Sequence, residues 1–276
     1  MYVDAVETGG LTPYYDSHTH TEHSHDGACS VREMCERAVL CGLAGIAFTD
    51  HCEVDTGLEA CLDVVRGLKS DVSRARDIFG ERLEISLGVE LGEPHHNPPF
   101  ARELTRDPEI DFVIGSLHHA RGQPDYYYID YGHENLDAIM SLYYEELEEL
   151  VECGCFDVVG HINYQLRYMD SLTRSRANPS KYYGKLGEIL RAIASKNLGI
   201  EINTSGLWRG MDFTLPSLDV LKMFRAAGGK VVTTGSDSHD SSHVGAELKT
   251  AVEYMRTAGF KYLAFFKNRE PSFKPI

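Results

Sequence analysis

The chain has 276 residues, 42% of them hydrophobic and 25% charged, which is typical of a folded protein with a large apolar core. We expect a single domain over residues 1–276, because this length is still normal for one large α/β domain. Acidic residues outnumber basic ones by 42 to 27, and the resulting net charge of -15 disfavours a long nucleic acid as partner while leaving room for a small anionic substrate.

Short apolar runs alternate along the chain with longer amphipathic segments, a pattern typical of repeated βα units around a parallel sheet. Strands are predicted at residues 14–17, 45–49, 83–89, 112–117, 156–160, 198–202 and 230–234, with an edge strand at 262–266. Helices are predicted at residues 31–41, 58–79, 135–151, 181–194, 218–227 and 245–257. Ser30 and Glu33 form a capping box before the first helix. Seven or eight βα units of this kind favour a barrel.

Nearly every predicted strand ends in a side chain that can bind a metal ion. The motifs are DSHTH (16–20), TDH (49–51), GVE (88–90), SLH (116–118), GH (160–161) and SDSH (236–239). Because the carboxyl ends of parallel barrel strands converge on one mouth, we expect these side chains to meet there. One His-x-His pair is a weak signal, but six strand ends that all carry ligand residues predict a metal centre.

Imidazole combined with carboxylate favours Zn²⁺, Mn²⁺ or Fe²⁺ over Ca²⁺ or Mg²⁺. Two such ions close together can share a water and lower its pKa toward about 7, which gives a hydroxide nucleophile at neutral pH. This chemistry needs no serine or cysteine nucleophile, and the chain has neither a G-x-S-x-G elbow nor a Walker-type phosphate loop. The sequence therefore predicts a hydrolase with two or three divalent ions.

The chain also resembles the polymerase and histidinol phosphatase (PHP) superfamily, and in particular its stand-alone histidinol-phosphate phosphatases. The resemblance spans residues 14–245 and consists of seven ordered motifs: DSHTHT, FTDH, GVELG, IGSLHH, DVVGHINY, EINTSGLW and TGSDSH. It implies a distorted (β/α)7 barrel with a three-metal site at the carboxyl ends of the strands. It also implies a phosphatase of histidine biosynthesis, which converts L-histidinol phosphate and water into L-histidinol and phosphate.

The same resemblance implies which positions bind the metals. They are His18, His20, His51, Glu90, His118, His161, Asp237 and His239. One further ligand normally follows the His-x-His pair in a loop that ends near a glycine. His25 and Asp26 are the alternatives for it, and we favour Asp26.

Two arginines, Arg167 and Arg209, each follow a predicted site strand by a few residues and are candidates to hold phosphate oxygens. Family resemblance supports basic residues in both loops. The acid that protonates the leaving alkoxide is expected beside the metals. Its candidates are His239, His51 and Asp237.

The ammonium and imidazole of histidinol would need hydrogen-bond acceptors, for which Glu201, Asn203 and the tyrosines of the loop 126–131 are candidates. His119 follows a predicted ligand and should point away from it, unless the strand end twists it toward substrate. The segments 93–99 and 121–132 are rich in Pro, Gly and Tyr and are predicted active-site loops. His95 and His96, in the first of them, are predicted to be exposed.

Three alternatives stay open. The same chemistry could act on a nucleotide or another small phosphate ester, and a protein with the same ligands could be a metal or metabolite sensor without turnover. The amidohydrolase barrel also begins with His-x-His, but it commonly places a carboxylated lysine at the fourth strand, where this chain has His118.

The sequence shows no signal for membrane insertion or export, and this bears on the cellular location of the protein. No run of 18 apolar residues occurs, and the first residues show no basic region followed by an apolar one, so neither membrane insertion nor export is predicted. The seven cysteines follow no disulfide or zinc-finger spacing. Reduced thiols in a cytoplasmic protein are the expectation.

Overall fold

The computed structural model describes residues 14–276. Its strands are β1 (Tyr15–Thr19), β2 (Gly45–Phe48), β3 (His51–Glu53), β4 (Glu84–Gly92), β5 (Phe112–Ser116), β6 (Val158–Val159), β7 (Gly199–Asn203), β8 (Val232–Gly235), β9 (Tyr262–Lys267) and β10 (Glu270–Pro275). Its helices are α1 (Val31–Leu40), α2 (Leu58–Phe79), α3 (Pro98–Leu104), α4 (Leu136–Cys153), α5 (Ser171–Ala177), α6 (Tyr183–Ser195), α7 (Ser205–Trp208), α8 (Leu218–Ala226) and α9 (Leu248–Thr257).

The parallel sheet follows the order β1-β2-β4-β5-β6-β7-β8, and β3 pairs with β4. Strands β2 and β3 form one barrel strand interrupted at Thr49 and Asp50, since β2 pairs with the first half of β4 and β3 with its second half. The sheet closes where β1 meets the end of β8. There the backbone N–H of His20 donates to the carbonyl of Ser238 at 2.8 Å. The predicted distorted (β/α)7 barrel is confirmed.

The long helices begin and end where local sequence signals place them. At the start of α1, Ser30 and Glu33 form the predicted capping box. The side chain of Asn135 caps α4, and Gly154 ends that helix with a φ of 60°, which glycine adopts at little cost. Helices α1, α2, α6 and α9 pack on β2, β4, β7 and β8. Within residues 14–276 no helix combines the length and hydropathy needed to cross a bilayer.

The prediction that residues 262–266 form an edge strand of the barrel is wrong in its pairing. Strand β9 pairs with β10 in a separate antiparallel hairpin, because the seven-stranded sheet closes on itself and offers no free edge. Three short helices, α3, α5 and α7, were not predicted, since segments of four to seven residues show too little periodicity.

The hairpin closes the amino end of the barrel with aromatic side chains. The ring of Phe265 lies 4.9 Å from that of Tyr15, at the start of β1, and the ring of Phe266 lies 4.8 Å from that of Phe112, at the start of β5. Ser86, near the start of β4, donates its hydroxyl to the carbonyl of Phe266 at 3.1 Å. The apolar end of the barrel is thereby sealed, and polar residues occupy the opposite end.

We predict that Phe266→Ala lowers the free energy of unfolding by about 3–5 kcal/mol, because it opens a cavity against Phe112 in this seal. Denaturant unfolding at fixed metal concentration would measure the loss. Phe273→Ala in the same hairpin is the control, since Phe273 is half exposed and its loss should change stability by less than about 1 kcal/mol. Equal effects of the two substitutions would contradict this role for the hairpin.

Candidate metal centre

The strand ends bring the predicted ligands together at the carboxyl mouth of the barrel. They are His18 and His20 on or just after β1, His51 at the start of β3, Glu90 in β4, His118 after β5, His161 after β6, and Asp237 and His239 after β8. His18 and His20 share one face of β1, as the period of two along a strand requires. All of these except His51 and His239 are buried.

The carboxylate of Glu90 lies at the centre of this group, which we call the Glu90 cluster. Its Oε1 atom is 2.8 Å from His161 Nε2 and 3.2 Å from His118 Nε2, and it accepts a hydrogen bond from the hydroxyl of Ser116 at 2.6 Å. The second oxygen, Oε2, faces three more imidazoles. It is 3.0 Å from His51 Nδ1, 3.3 Å from His18 Nε2 and 3.5 Å from His20 Nε2.

The donor set fits divalent metal ions. Glu90 Oε2 and His51 Nδ1 are buried and have no hydrogen-bond partner among residues 14–276, although ring nitrogens and a carboxylate face each other there. Three overlapping triplets each place a ligand atom of every member within 4.8 Å of the others: His20, His51 and His239; His18, His20 and Glu90; His51, Glu90 and His118. Imidazole nitrogens combined with a carboxylate oxygen suit zinc, manganese or iron.

Asp237 contributes a second carboxylate from the opposite side. Its Oδ1 atom lies 3.4 Å from His20 Nε2 and 3.7 Å from His18 Nε2. Its backbone has a φ of 57°, in the left-handed region that aspartate tolerates better than most residues, and this turn after β8 directs the side chain into the mouth. The other oxygen, Oδ2, pairs with Arg167 at 2.7 Å.

Of the two alternatives in the loop after β1, the structure brings Asp26 to the cluster. Its Oδ2 atom is 3.2 Å from His239 Nε2, and its Oδ1 atom is 3.7 Å from His51 Nε2. The side chain of His25 is 78% exposed. The geometry therefore favours Asp26 as the loop ligand.

Glu201 lies behind the cluster rather than in the pocket. Its Oε1 atom contacts His18 Nδ1 at 2.7 Å, and its Oε2 atom accepts the backbone N–H of His161 at 2.9 Å and the amide of Asn203 at 3.2 Å. Both Glu201 and Asn203 are fully buried. A carboxylate on the far nitrogen of a histidine fixes its ring and tautomer, so this position supports the predicted ligand His18.

A second support lies behind His20. Its Nδ1 atom is 3.2 Å from the hydroxyl of Ser24, which donates to the carboxylate of Asp50 at 2.7 Å. Asp50 also accepts the backbone N–H of Thr21 at 2.8 Å. Each histidine of the β1 pair thus has one nitrogen facing the cluster and the other held from outside.

The charges of the cluster shift its pKa values in opposite directions. Burial lowers the pKa of His18, but the carboxylates of Glu201, Glu90 and Asp237 outweigh it and raise that pKa well above its ordinary value. Burial and the neighbouring imidazoles of His239 and His51 hold the pKa of His20 well below its ordinary value.

The pKa of the Glu90 carboxyl is well below its usual range, because nearby imidazoles outweigh burial. The pKa of Asp237 is low for the same kind of reason, with Arg167 and His18 outweighing burial. Both carboxylates are therefore in the charged form that binds metals.

Most of the predicted ligands line a pocket together with aromatic and basic side chains. These are Tyr164, Tyr168, Arg167 and Arg209. The side chain of Arg167 is 7% exposed and donates to Asp237 and to the hydroxyl of Ser205, both at 2.7 Å, while its guanidinium lies 4.8 Å from the ring of Tyr164. Arg209 is exposed at the mouth, 4.5 Å from the ring of Trp208.

The sequence analysis missed Glu53, Tyr164 and Tyr168. Glu53 Oε1 lies 3.2 Å from His51 Nδ1 and 3.3 Å from His118 Nδ1. The signal was present, since Glu53 follows His51 by two residues and therefore shares its face of β3. Tyr164 belongs to the motif DVVGHINY, but no residue pattern distinguishes a pocket tyrosine from a core one.

Other predicted substrate residues lie away from the pocket. His119 Nε2 is 3.4 Å from Glu93 Oε2 and 3.5 Å from Asp55 Oδ2, outside the pocket lining. In the loop 126–131, Tyr126 and Tyr131 are buried. The ring of Tyr127 packs 5.4 Å from that of Tyr168.

The prediction that His95 and His96 are exposed is wrong. His95 is buried, and the Nε2 atoms of both rings contact Glu146 of α4. The sequence could not indicate this contact, because 50 residues separate the partners.

A sequence profile of the PHP domain family matches residues 16–205 of this chain. The histidinol-phosphatase of Lactococcus lactis subsp. lactis is 28% identical over 261 residues, which cover 91% of this chain and 93% of that relative. A protein of Deinococcus radiodurans named probable histidinol-phosphatase is 25% identical over 263 residues, covering 92% and 97% of the two chains.

Among solved structures, one of histidinol phosphate phosphatase from Lactococcus lactis, complexed with zinc, L-histidinol and phosphate, matches with a TM-score of 0.75. The match is 23% identical and covers 94% of this chain and 98% of that one. At this identity the likeness shows a common fold.

We predict that chelation of bound metal lowers the melting temperature by roughly 5–10 °C. An ion present at 100 times its Kd stabilises the folded state by about 2.7 kcal/mol, and each kcal/mol shifts the melting temperature of a protein this size by about 2–4 °C. Thermal unfolding with and without EDTA, followed by return of Zn²⁺, would measure the shift. Identical melting in all three samples would argue against a metal centre.

Glu201→Gln should weaken zinc binding by about 10- to 100-fold, because the ring of His18 loses the carboxylate that orients it. Competition with a coloured chelator would measure the affinity. Glu188→Gln, an exposed change on α6, is the matched control and should leave affinity unaltered. Wild-type affinity in Glu201→Gln would show that this contact does not support the ligand.

Proposed function

The chain belongs to the PHP domain family, and from that membership we propose that it is a metal-dependent histidinol-phosphate phosphatase. It would convert L-histidinol phosphate and water into L-histidinol and phosphate, as a step of histidine biosynthesis. The single observation that carries the proposal is the Glu90 cluster, which opens into a pocket that also holds two arginines. The names of the relatives, which align over nearly the whole chain, support histidinol phosphate as the substrate.

The ligands of the proposed centre are the residues that converge on Glu90 and Asp237. They are His18, His20, Asp26, His51, Glu90, His118, His161, Asp237 and His239. Divalent ions held there, of zinc, manganese or iron, would neutralise phosphate oxygens and lower the pKa of a water that attacks phosphorus. The supports behind His18 and His20 would keep the ligand rings in place through the reaction.

The two arginines would bind the phosphate group. Arg167 is held by Asp237 and Ser205, so its guanidinium is positioned before substrate arrives. Arg209 stands exposed at the mouth and can approach a phosphate oxygen from the solvent side. The rings of Tyr164 and Tyr168 would narrow the pocket and exclude water beside the phosphate.

Among the three candidate acids, we assign protonation of the leaving alkoxide to His239, whose Nδ1 would carry the proton while Nε2, the nitrogen beside Asp26, faces the metal ions. Asp237 is paired with Arg167, which keeps its carboxylate charged. His51 is held between Glu90 and Glu53. His239 lines the pocket at the rim and is the most exposed of the three.

Release of phosphate by the zinc- or manganese-loaded protein tests the proposal. Histidinol phosphate should be hydrolysed with a higher kcat/KM than a nucleoside monophosphate or a simple aryl phosphate. A higher kcat/KM for the nucleotide would show that histidinol phosphate is not the preferred substrate, although the protein would still be a phosphoester hydrolase. A fully metallated protein that hydrolyses none of them would instead behave as a metal or metabolite sensor.

Arg209→Ala should reduce kcat/KM for the phosphorylated substrate by about 10- to 100-fold, since a hydrogen bond between charged groups contributes about 1.5–3 kcal/mol. Steady-state kinetics at fixed metal content would measure it. Arg225→Ala is the control, because Arg225 lies beside Phe260, away from the pocket. An equal response of both variants would exclude a phosphate contact by Arg209.

We place the enzyme in the cytoplasm. All seven cysteines lie in the described part of the chain and are free thiols, which suits a reducing compartment. A small phosphorylated metabolite, rather than a long nucleic acid, matches the acidic charge of the chain.

A further inference from the structure

A second group of metal-binding side chains lies beside the barrel mouth, apart from the Glu90 cluster. His95 and His96 come from the turn after β4, and Glu146 comes from the middle of α4. Glu146 Oε2 is 2.6 Å from His95 Nε2 and 2.9 Å from His96 Nε2. We call these three residues the His95 site.

The backbone before the two histidines makes this convergence possible. Glu93 adopts a left-handed φ of 48°, and Pro94 then begins a single 3-10 turn that carries both rings. Successive side chains in such a turn normally point in different directions, yet these two ring centroids lie 4.3 Å apart and their Nε2 atoms face one oxygen.

The carboxylate is fixed as firmly as the rings. The other oxygen of Glu146 accepts the backbone N–H of Arg121 at 3.1 Å, which leaves Oε2 directed at the imidazoles. The guanidinium of Arg121 approaches the carbonyl of His95 at 3.3 Å and ties the two loops together. The three ligand atoms are thus held on two elements of the fold, the turn after β4 and α4.

The three side chains of the His95 site are buried, unlike those of an ordinary surface hydrogen bond. The side chains of His95, His96 and Glu146 are 3%, 8% and 9% exposed. Within the described residues, Nδ1 of His95 has no hydrogen-bond partner, so every polar contact of this buried ring passes through Nε2. A buried polar atom without a hydrogen-bond partner is uncommon in folded proteins.

The distances approach those of a tetrahedral metal site. Metal bonds of 2.0–2.1 Å give a ligand-to-ligand edge of roughly 3.3 Å, so an ion would require the nitrogen and oxygen atoms to separate by about half an ångström. Two imidazoles and one carboxylate form the ligand set of several zinc enzymes, and this set suits zinc better than magnesium or calcium.

We propose that His95, His96 and Glu146 bind one zinc ion, or a similar divalent transition metal, in a site separate from the Glu90 cluster. The ion would join the turn after β4 to α4. Glu93 in the same turn accepts the backbone N–H of His118 at 2.5 Å and that of His119 at 3.2 Å. An ion at the His95 site would therefore steady the segment that carries the ligand His118, whatever the substrate of the enzyme is.

Two measurements on the full chain test the proposal. Protein saturated with Zn²⁺ and passed over a desalting column should contain one zinc fewer per chain in Glu146→Gln and in His96→Asn than in wild type, by elemental analysis. His133→Asn is the control, because His133 is exposed and its imidazole pairs with Asp130 in its own loop. It should keep the wild-type zinc content.

The position of the ion decides between the two sites. Crystals of the zinc-saturated wild type should show an anomalous peak within bonding distance of His95 Nε2, His96 Nε2 and Glu146 Oε2. Anomalous peaks confined to the Glu90 cluster would overturn the proposal. Variants that keep the wild-type zinc content would overturn it as well, and so would variants whose missing zinc proves to come from the Glu90 cluster. The wild-type map is decisive by itself if a variant fails to fold.

Discussion

The buried carboxylate of Glu90, which is shielded from solvent, lies at the centre of the Glu90 cluster. Glu90 is 1% exposed, and burial of a negative charge is unfavourable unless positive or hydrogen-bonding groups surround it. Five imidazoles and one hydroxyl meet its two oxygens, and most of these groups come from different strands. The arrangement becomes favourable when divalent ions balance the charge, so metal binding and the closed barrel are linked.

Closure of the barrel between β1 and β8 is what completes this cluster. The backbone N–H of Asp237 donates to the carbonyl of His18 at 2.9 Å, so the seam of the barrel joins two predicted ligands that are more than 200 residues apart in the chain. The aromatic hairpin of β9 and β10 seals the opposite end. One end of the same closed sheet is therefore apolar and structural, while the other concentrates charge and opens to solvent.

The charged groups around the mouth serve two purposes at once. Asp237 faces the histidines with one oxygen and holds Arg167 with the other, so a proposed metal ligand also positions a proposed phosphate-binding group. Glu201 acts indirectly, through its contacts with the ring of His18 and the backbone N–H of His161. Glu201 lies outside the pocket, yet its contacts orient the histidines of the cluster.

The sequence by itself determined the seven strands, the long helices between them and the candidate ligands at most strand ends, because hydrophobic periodicity and strand ends are local properties. Even Glu53 was within reach, through its spacing from His51. The seam between β1 and β8, the place of Glu201 behind His18, and the contact of His95 and His96 with Glu146 were decided only by the tertiary structure. Each joins residues distant in the chain, and no local pattern records which of them the closed barrel brings together.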